Sequence, residues 1–172
     1  METVFFKGTP CHTYGTIPSA GDKAPCFTLV DPDMKELRCS DYRGKRVVMN
    51  IFPSLDTPVC AASVHRFNEL AAGLDNTSVL CISMDLPFAA KRFCTLEGID
   101  GVTAASAFRS PMFCEKYGLE IVDGPLAGLL ARAVIILDED RKVIYSQLVE
   151  EITEEPDYDA AVSVLKGDKF PK

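Results

Sequence analysis

The chain has 172 residues, of which 47% are hydrophobic and 25% charged, a composition typical of a globular protein. Its formal net charge of −7 makes nucleic acid and anionic membranes poor partner candidates, because both repel a negative surface. No uncharged apolar run is long enough to span a bilayer. The length favours one domain covering residues 1–172.

The seven cysteines lie at positions 11, 26, 39, 60, 81, 94 and 114, never closer than 13 residues apart. Structural zinc sites usually draw ligands from close CxxC pairs, so we expect no metal. The opening METVFFKGTP lacks the basic start and the long apolar stretch of a secretory signal. We therefore expect a cytoplasmic protein whose thiols are free or catalytic.

Turn signals and apolar runs predict two hairpins before the central part of the chain. The first occupies the N-terminal region, residues 1–20, with strands at Thr3–Phe6 and Cys11–Tyr14. The second joins FTLV to ELRCS, residues 27–30 and 36–40. Next come an apolar strand at Arg46–Phe52, a helix opening at Cys60 and a second apolar strand at Ser78–Met84. This order predicts a βαβ unit with parallel strands.

The second half alternates helices with further strands. We predict a helix with Pro87 in its first turn, a short strand at Val102–Ser106, and a helix capped by Ser110 and ended by Gly118. AVIILDEDRKVIYSQLV predicts an antiparallel hairpin, Pro156 can begin a closing helix, and residues 167–172 form a loose tail. The fold class is α/β, with a mixed sheet covered by helices on both faces.

The stretch PSLDTPVC, Pro53 to Cys60, places a cysteine where a strand gives way to the first turn of a helix. Unpaired backbone N–H groups and the positive end of the helix dipole favour an anion there, and a thiolate is an anion. The position is therefore suited to a reactive sulfur.

FPSLDTPVC contains PxxxTxxC, and on this motif the chain resembles the peroxiredoxins. NIFPSLDTPVCAASVHRFNELA, DNTSVLCISMDLPFAAKRFC and GLLARAVIILDE are similar to the thiol peroxidase branch, the atypical 2-Cys type. The resemblance implies a thioredoxin-like fold. It also implies reduction of hydrogen peroxide and organic hydroperoxides to water and alcohols, with no bound cofactor.

The resemblance also assigns residues. Cys60 matches the peroxidatic cysteine, Pro53 and Thr57 its active-site partners, Arg132 the family's arginine, and Cys94 the resolving cysteine. It implies that the sulfenic acid of Cys60 condenses with Cys94 into a disulfide within one subunit, that thioredoxin reduces this disulfide, and that the protein is a homodimer.

These residue types fit the chemistry. Attack by a thiolate on one peroxide oxygen leaves negative charge on the other, so hydrogen-bond donors must meet both oxygens. Thr57 can place a hydroxyl beside the sulfur, and Arg132 can supply fixed positive charge and several N–H donors. Pro53 offers no N–H and suits a wall that shields the sulfur.

Structural alternatives exist for each residue. Thr57 could only cap a helix, Arg132 could form a structural ion pair, and Cys94 could be a packed helix residue. Cys26, Cys39 and Cys81 are expected to pack as small hydrophobes, and Cys114 is a rival resolving thiol. His65, five residues after Cys60, points away from the sulfur and is a poor general base.

Two other functions are compatible with a reactive cysteine. Cys60 and Ser63 form a CxxS pattern, which is compatible with a monothiol glutaredoxin-like transferase using glutathione. A peroxide sensor that switches a surface without turnover is the other alternative.

Overall fold

The computed structural model describes residues 1–167, so the predicted tail lies outside the described residues except for Gly167. Nine strands are described, namely β1 (Thr3–Phe6), β2 (Thr9–His12), β3 (Thr28–Val30), β4 (Glu36–Arg38), β5 (Arg46–Ile51), β6 (Thr77–Ser83), β7 (Thr103–Ser106), β8 (Ala133–Leu137) and β9 (Val143–Leu148). The α-helices among these residues are α1 (Pro58–Ala71), α2 (Pro87–Glu97), α3 (Pro111–Tyr117) and α4 (Tyr158–Leu165), and a short 3₁₀ helix covers Cys39–Tyr42.

Seven of these strands form one mixed sheet in the order β4-β3-β7-β6-β5-β8-β9. Strands β5, β6 and β7 are parallel, as the predicted βαβ unit requires, and the other pairings are antiparallel. Strands β1 and β2 form the separate N-terminal hairpin. The predicted thioredoxin-like fold with an N-terminal hairpin is confirmed.

The two faces of β5 divide the core, because successive strand residues point to opposite sides of a sheet. Val47, Met49 and Ile51 face a cluster that includes Phe113 and Tyr117 of α3 and Val4 of the N-terminal hairpin. Alternate positions of the sheet, such as Val48 and Val134, face Phe67 of α1 and Leu165 of α4 instead. Helices therefore cover both faces, as predicted. Within residues 1–167, no helix has the length and apolar character needed to cross a membrane.

Element boundaries differ from the prediction where a turn or a cap decides them. Strand β2 is Thr9–His12, because the turn closes at Lys7 and Gly8, both with positive φ. Helix α1 begins at Pro58, since a proline at the first helical position has no N–H to leave unpaired. Helix α4 begins at Tyr158, after Pro156, with the Asp157 carboxylate accepting from the amide of Ala160.

Ser110 occupies the N-cap position of α3, as predicted, but its side chain makes no capping hydrogen bond. Its hydroxyl instead donates to the carbonyl oxygen of Thr28 at 2.5 Å, which ties α3 to strand β3. The predicted end at Gly118 is confirmed, because this glycine adopts the left-handed conformation with φ of 69°.

Gly118 and Gly98 provide a matched test of packing at helix ends. Both have positive φ, but a Cβ on Gly118 would lie 2.7 Å from the backbone nitrogen of Thr16, whereas a Cβ on Gly98 would meet nothing within 4 Å. We expect Gly98→Ala to lower the free energy of unfolding by about 1 kcal/mol through backbone strain. Gly118→Ala should lower it by roughly 2 kcal/mol more, because backbone atoms must also move. Urea unfolding of both variants measures the difference, and equal losses would contradict this packing.

Candidate active site

Cys60 is the third residue of α1 and its side chain is fully buried. The helix begins with Pro58 after Thr57, whose side-chain oxygen accepts a hydrogen bond from the amide of Cys60 at 3.4 Å. The predicted position at a strand-to-helix turn is therefore confirmed. The sulfur lies in the first helical turn, where the helix dipole is positive.

Arg132 contacts this sulfur from another part of the chain. Ile51 at the end of β5 pairs with Ala133 at the start of β8, so the preceding Arg132 lies at the edge of the sheet from which α1 departs. Its Nη2 donates to Sγ of Cys60 at 3.1 Å, and its Nε donates to the carbonyl oxygen of Ile152 at 2.8 Å. The structure thus brings together the two residues most important to the predicted chemistry.

Arg132 is only 1% exposed. Within residues 1–167 it forms no ion pair with a carboxylate, so the alternative of a structural ion pair is not what the structure shows. Its remaining terminal nitrogen, Nη1, is buried and has no hydrogen-bond partner among these residues. One donor of the guanidinium is therefore on the sulfur while a second beside it is unused.

Thr57 and Pro53 occupy the segment between β5 and α1. The Thr57 hydroxyl donates to the carbonyl oxygen of Ser54 at 3.2 Å while accepting from the amide of Cys60. It acts here as the helix cap, and its predicted role toward a peroxide stays a prediction. Pro53 is buried two residues after the end of β5, a position compatible with the predicted shielding wall.

The sequence analysis missed Asp85, which holds the segment before α1. Its carboxylate accepts from the hydroxyl of Ser54 at 2.8 Å, the amide of Leu55 at 2.7 Å and the hydroxyl of Ser83 at 2.7 Å. Strands β5 and β6 are parallel, and the carboxyl ends of neighbouring parallel strands meet at one edge of a sheet. Ser54 and Asp85, the polar residues that follow these two strands, could therefore have indicated this contact from the sequence.

A second missed group lies beneath the first turn of α1. Ser63 is fully buried, donates to the carbonyl oxygen of Cys60 at 2.8 Å and accepts from Nδ2 of Asn50 at 3.1 Å. Asn50 Nδ2 also contacts Sγ of Cys81 at 3.7 Å. Ser63 is thus engaged in holding the helix to the sheet.

Cys94 lies on α2 and is half-buried. It packs against the hydrophobic cluster that contains Cys60, Phe52 and Leu55. Burial raises the pKa of the Cys94 thiol, so the thiol resists ionisation in this conformation. Cys60 and Cys94 are both free, and no disulfide joins them in this structure.

The other predicted residues have mixed outcomes. Cys81 is buried as predicted, and burial raises its pKa to about 12. Cys114 is also buried, and desolvation raises its pKa to about 11. His65 pairs with Glu97 at 3.0 Å, away from Cys60. The prediction that Cys26 packs as a hydrophobe is wrong, because Cys26 is exposed. Among residues 1–167, no cluster of three or more His, Cys, Asp or Glu side chains is arranged to hold a metal.

A buried cysteine at a helix start, paired with an arginine across a thioredoxin-like sheet, defines a class of thiol-based redox proteins. The Redoxin family model matches residues 19–162. The chain is 53% identical to the thiol peroxidase of Corynebacterium glutamicum over 165 residues, 96% of this chain and 99% of that protein. It is 50% identical to the thiol peroxidase of Mycobacterium bovis over the same coverage.

Solved structures give the same result. A peroxiredoxin-like protein from Aquifex aeolicus superposes with a TM-score of 0.92 at 46% identity over 97% of each chain. The thiol peroxidase from Chromobacterium violaceum has a TM-score of 0.88 at 22% identity over 96% of this chain and 95% of that chain, which supports the fold. The chain belongs to the Redoxin family and, within it, to the thiol peroxidase branch of the peroxiredoxins. It is a peroxidase of the peroxiredoxin type.

The burial of Cys94 predicts how its alkylation depends on pH. In Cys60→Ser, the iodoacetamide reaction of Cys94 should rise with pH through a midpoint above the pKa of a free thiol, because burial disfavours the thiolate. The same residue in urea-unfolded protein is the control and should titrate as an ordinary cysteine. A native midpoint at or below the unfolded one would contradict the buried environment described above.

Proposed function

We propose that this protein reduces hydrogen peroxide and organic hydroperoxides through a sulfenic acid on Cys60, a Cys60–Cys94 disulfide, and reduction of that disulfide by thioredoxin. The observation that carries the proposal is the position of the Arg132 guanidinium, with Nη2 at 3.1 Å from Sγ of Cys60 and Nη1 without a hydrogen-bond partner among residues 1–167.

The first step needs a thiolate and donors for the peroxide oxygens. Arg132 places positive charge beside the sulfur of Cys60, and the first turn of α1 adds the positive end of its dipole. The thiolate attacks one oxygen of ROOH, the O–O bond breaks, and the other oxygen leaves as an alkoxide that is protonated to ROH. The unused Nη1 of Arg132 is available to donate to an oxygen on which negative charge develops.

The second step closes the disulfide. The Cys94 thiol attacks the sulfenic sulfur of Cys60, a disulfide forms and water leaves, so two thiols have reduced one hydroperoxide. Cys60 is fully buried and Cys94 lies in a packed helix, so the first turn of α1 and the region of α2 around Cys94 must loosen locally. A thioredoxin dithiol then restores both thiols by exchange. The homodimer and the cytoplasmic location remain predictions of the same proposal.

The structure gives less support to the glutaredoxin-like alternative. The serine of the CxxS pattern, Ser63, is fully buried and is hydrogen-bonded to Asn50 and to the backbone of Cys60. The CxxS pattern is therefore explained by the packing of α1 against the sheet. The glutaredoxin-like alternative also gives no role to Arg132.

The contribution of Arg132 can be measured by replacement. Arg132→Met should lower kcat/KM for hydrogen peroxide by about 10²–10³-fold, because a donor and a charge beside the reacting atoms are both lost. Arg132→Lys keeps the charge but not the fork of donors, so its loss should lie between methionine and wild type. Arg66→Met, an exposed arginine on α1 paired with Glu69, is the matched control and should remain active. A folded Arg132→Met protein of normal activity would contradict the mechanism.

The roles of Cys60 and Cys94 are distinguished by the number of hydroperoxide equivalents that each variant consumes. Cys60→Ser should consume no hydroperoxide, whereas Cys94→Ser should consume one equivalent and then stall with thioredoxin as reductant. Wild type should consume many equivalents with thioredoxin and far fewer with glutathione alone. Consumption of one equivalent or less by wild type with thioredoxin present would favour the sensor alternative.

A further inference from the structure

A second pair of thiols meets at the base of the β3–β4 hairpin. Cys26 precedes β3, Cys39 follows β4, and the amide of Cys39 donates to the carbonyl oxygen of Phe27 at 3.0 Å, which continues the antiparallel pairing. Sγ of Cys39 lies 2.7 Å from Sγ of Cys26 and donates to it. A disulfide bond is about 2.05 Å long, so these sulfurs can bond with a movement below about 1 Å.

Arg141 contacts both sulfurs. It lies in the turn between β8 and β9, and its Nη1 donates to Sγ of Cys26 at 2.5 Å and to Sγ of Cys39 at 3.0 Å. Within residues 1–167 its guanidinium forms no ion pair with a carboxylate. The hydrogen bond from Cys39 and then that from Arg141 lower the pKa of Cys26. Cys26 accepts both bonds, which is the arrangement of an attacking thiolate beside a resolving thiol.

The pair is also accessible. Cys26 is exposed and Cys39 is largely covered, so a reagent would meet Cys26 first. Two open clefts of about 630 Å³ and 470 Å³ adjoin the pair, and both are lined by Cys26, Cys39 and Ser40. An exposed attacking thiol with a second thiol in contact and a cleft on each side is suited to disulfide exchange.

We propose that Cys26 and Cys39 form a second redox site, a dithiol that exchanges with low-molecular-weight disulfides carrying carboxylate groups. The Cys26 thiolate attacks a sulfur of RSSR, which forms a mixed disulfide and releases RS⁻. The Cys39 thiol then attacks Cys26 within that mixed disulfide and expels the second RS⁻, with its own proton passing to the released thiolate. The protein dithiol is oxidised by two electrons, and RSSR is reduced to one thiol and one thiolate, which takes its proton from water.

The charge of the larger cleft selects the substrate class. Arg38 is paired with Glu36 at 2.5 Å, but Arg109 and Lys116 line the same cleft and form no ion pair with a carboxylate among the described residues. The remaining lining includes the apolar side chains of Phe27, Val30, Pro111, Met112 and Phe113. In a chain of net charge −7, this local excess of cations favours an anionic disulfide of small peptide size.

The second site is separate from Cys60. Strand β8 runs antiparallel to β5, with Ala133 opposite Ile51 and Leu137 opposite Val47. Arg132 therefore lies at one end of β8 and Arg141 in the turn beyond the other end. Five residues of strand span roughly 15 Å, so exchange at Cys26 requires neither Cys60 nor Arg132.

Glutathione disulfide is the probe for the test. Reduced wild type and reduced Cys60→Ser are incubated with it, quenched in acid, alkylated and peptide-mapped. We expect a Cys26–Cys39 disulfide in both, a stable glutathione adduct on Cys26 in Cys39→Ser, and an unmodified Cys39 in Cys26→Ser. Absence of the Cys26–Cys39 disulfide in excess probe, or its formation only when Cys60 is present, would overturn the proposal. Because Cys60→Ser lacks the peroxidatic thiol, the result is independent of the proposed peroxidase function.

Two further variants test the neighbouring charges. Arg141→Met should slow alkylation of Cys26 by iodoacetamide on the order of tenfold at neutral pH, because it removes a donor and a charge from the sulfur. Arg43→Met, which lines the smaller cleft but has no hydrogen bond to either sulfur, is the matched control and should react at the wild-type rate. Equal rates in both variants would contradict the role of Arg141.

The preference for an anionic substrate is tested with a second disulfide. Arg109→Ala should slow exchange with glutathione disulfide several-fold and leave exchange with uncharged 2-hydroxyethyl disulfide unchanged, whereas Lys116 is kept because its charge also lowers the pKa of Cys26. Equal slowing of both reactions, or no slowing of either, would overturn the substrate class.

A measurement on wild type does not depend on whether a variant folds. Under limiting iodoacetamide, Cys26 should be modified before every other cysteine.

Discussion

The contact between the buried guanidinium of Arg132 and the sulfur of Cys60 is the interaction on which the structure of this site depends. A buried charge is costly unless a partner compensates it, and no carboxylate among the described residues pairs with Arg132. Its neighbours are a backbone carbonyl and a cysteine. A thiolate at Cys60 would compensate the charge, so the proposed activation of the sulfur and the stability of the buried arginine depend on the same contact.

The fold supplies this contact through strand register. Cys60 follows β5 and Arg132 precedes β8, and the antiparallel pairing of these strands brings the two positions to one edge of the sheet. Asp85, after the neighbouring parallel strand, fixes the segment before α1 through Ser54 and Leu55. Arg132 is therefore positioned by strand β8, and Cys60 by strand β5 and the hydrogen-bonded segment that joins this strand to α1. Such support holds the sulfur of Cys60 in a defined environment.

The sequence predicted the order of elements, the fold and the meeting of Cys60 with Arg132, because apolar periodicity and a specific motif carry that information. It did not predict that Ser110 bonds to Thr28 rather than to its own helix, since only the tertiary structure brings that carbonyl within reach. Asp85 was missed because its hydrogen-bond partners Ser54 and Leu55 lie some 30 residues away in the sequence and only the fold brings them to its carboxylate. Local sequence patterns thus predict helices and strands well, but they predict poorly which side chains from distant parts of the chain come into contact.

The same reasoning explains why Cys26 and Cys39 were expected to pack as small hydrophobes. Each cysteine, considered singly beside a strand, resembles a small core residue. Only the pairing of β3 with β4 places the sulfurs together, and only the β8–β9 turn brings Arg141, 102 residues from Cys39, onto them. One strand, β8, thus has an arginine near each end that donates to a cysteine sulfur. The sulfur of Cys60 is fully buried, whereas Cys26 is exposed beside two clefts, so the same pairing of residue types occurs in two different environments.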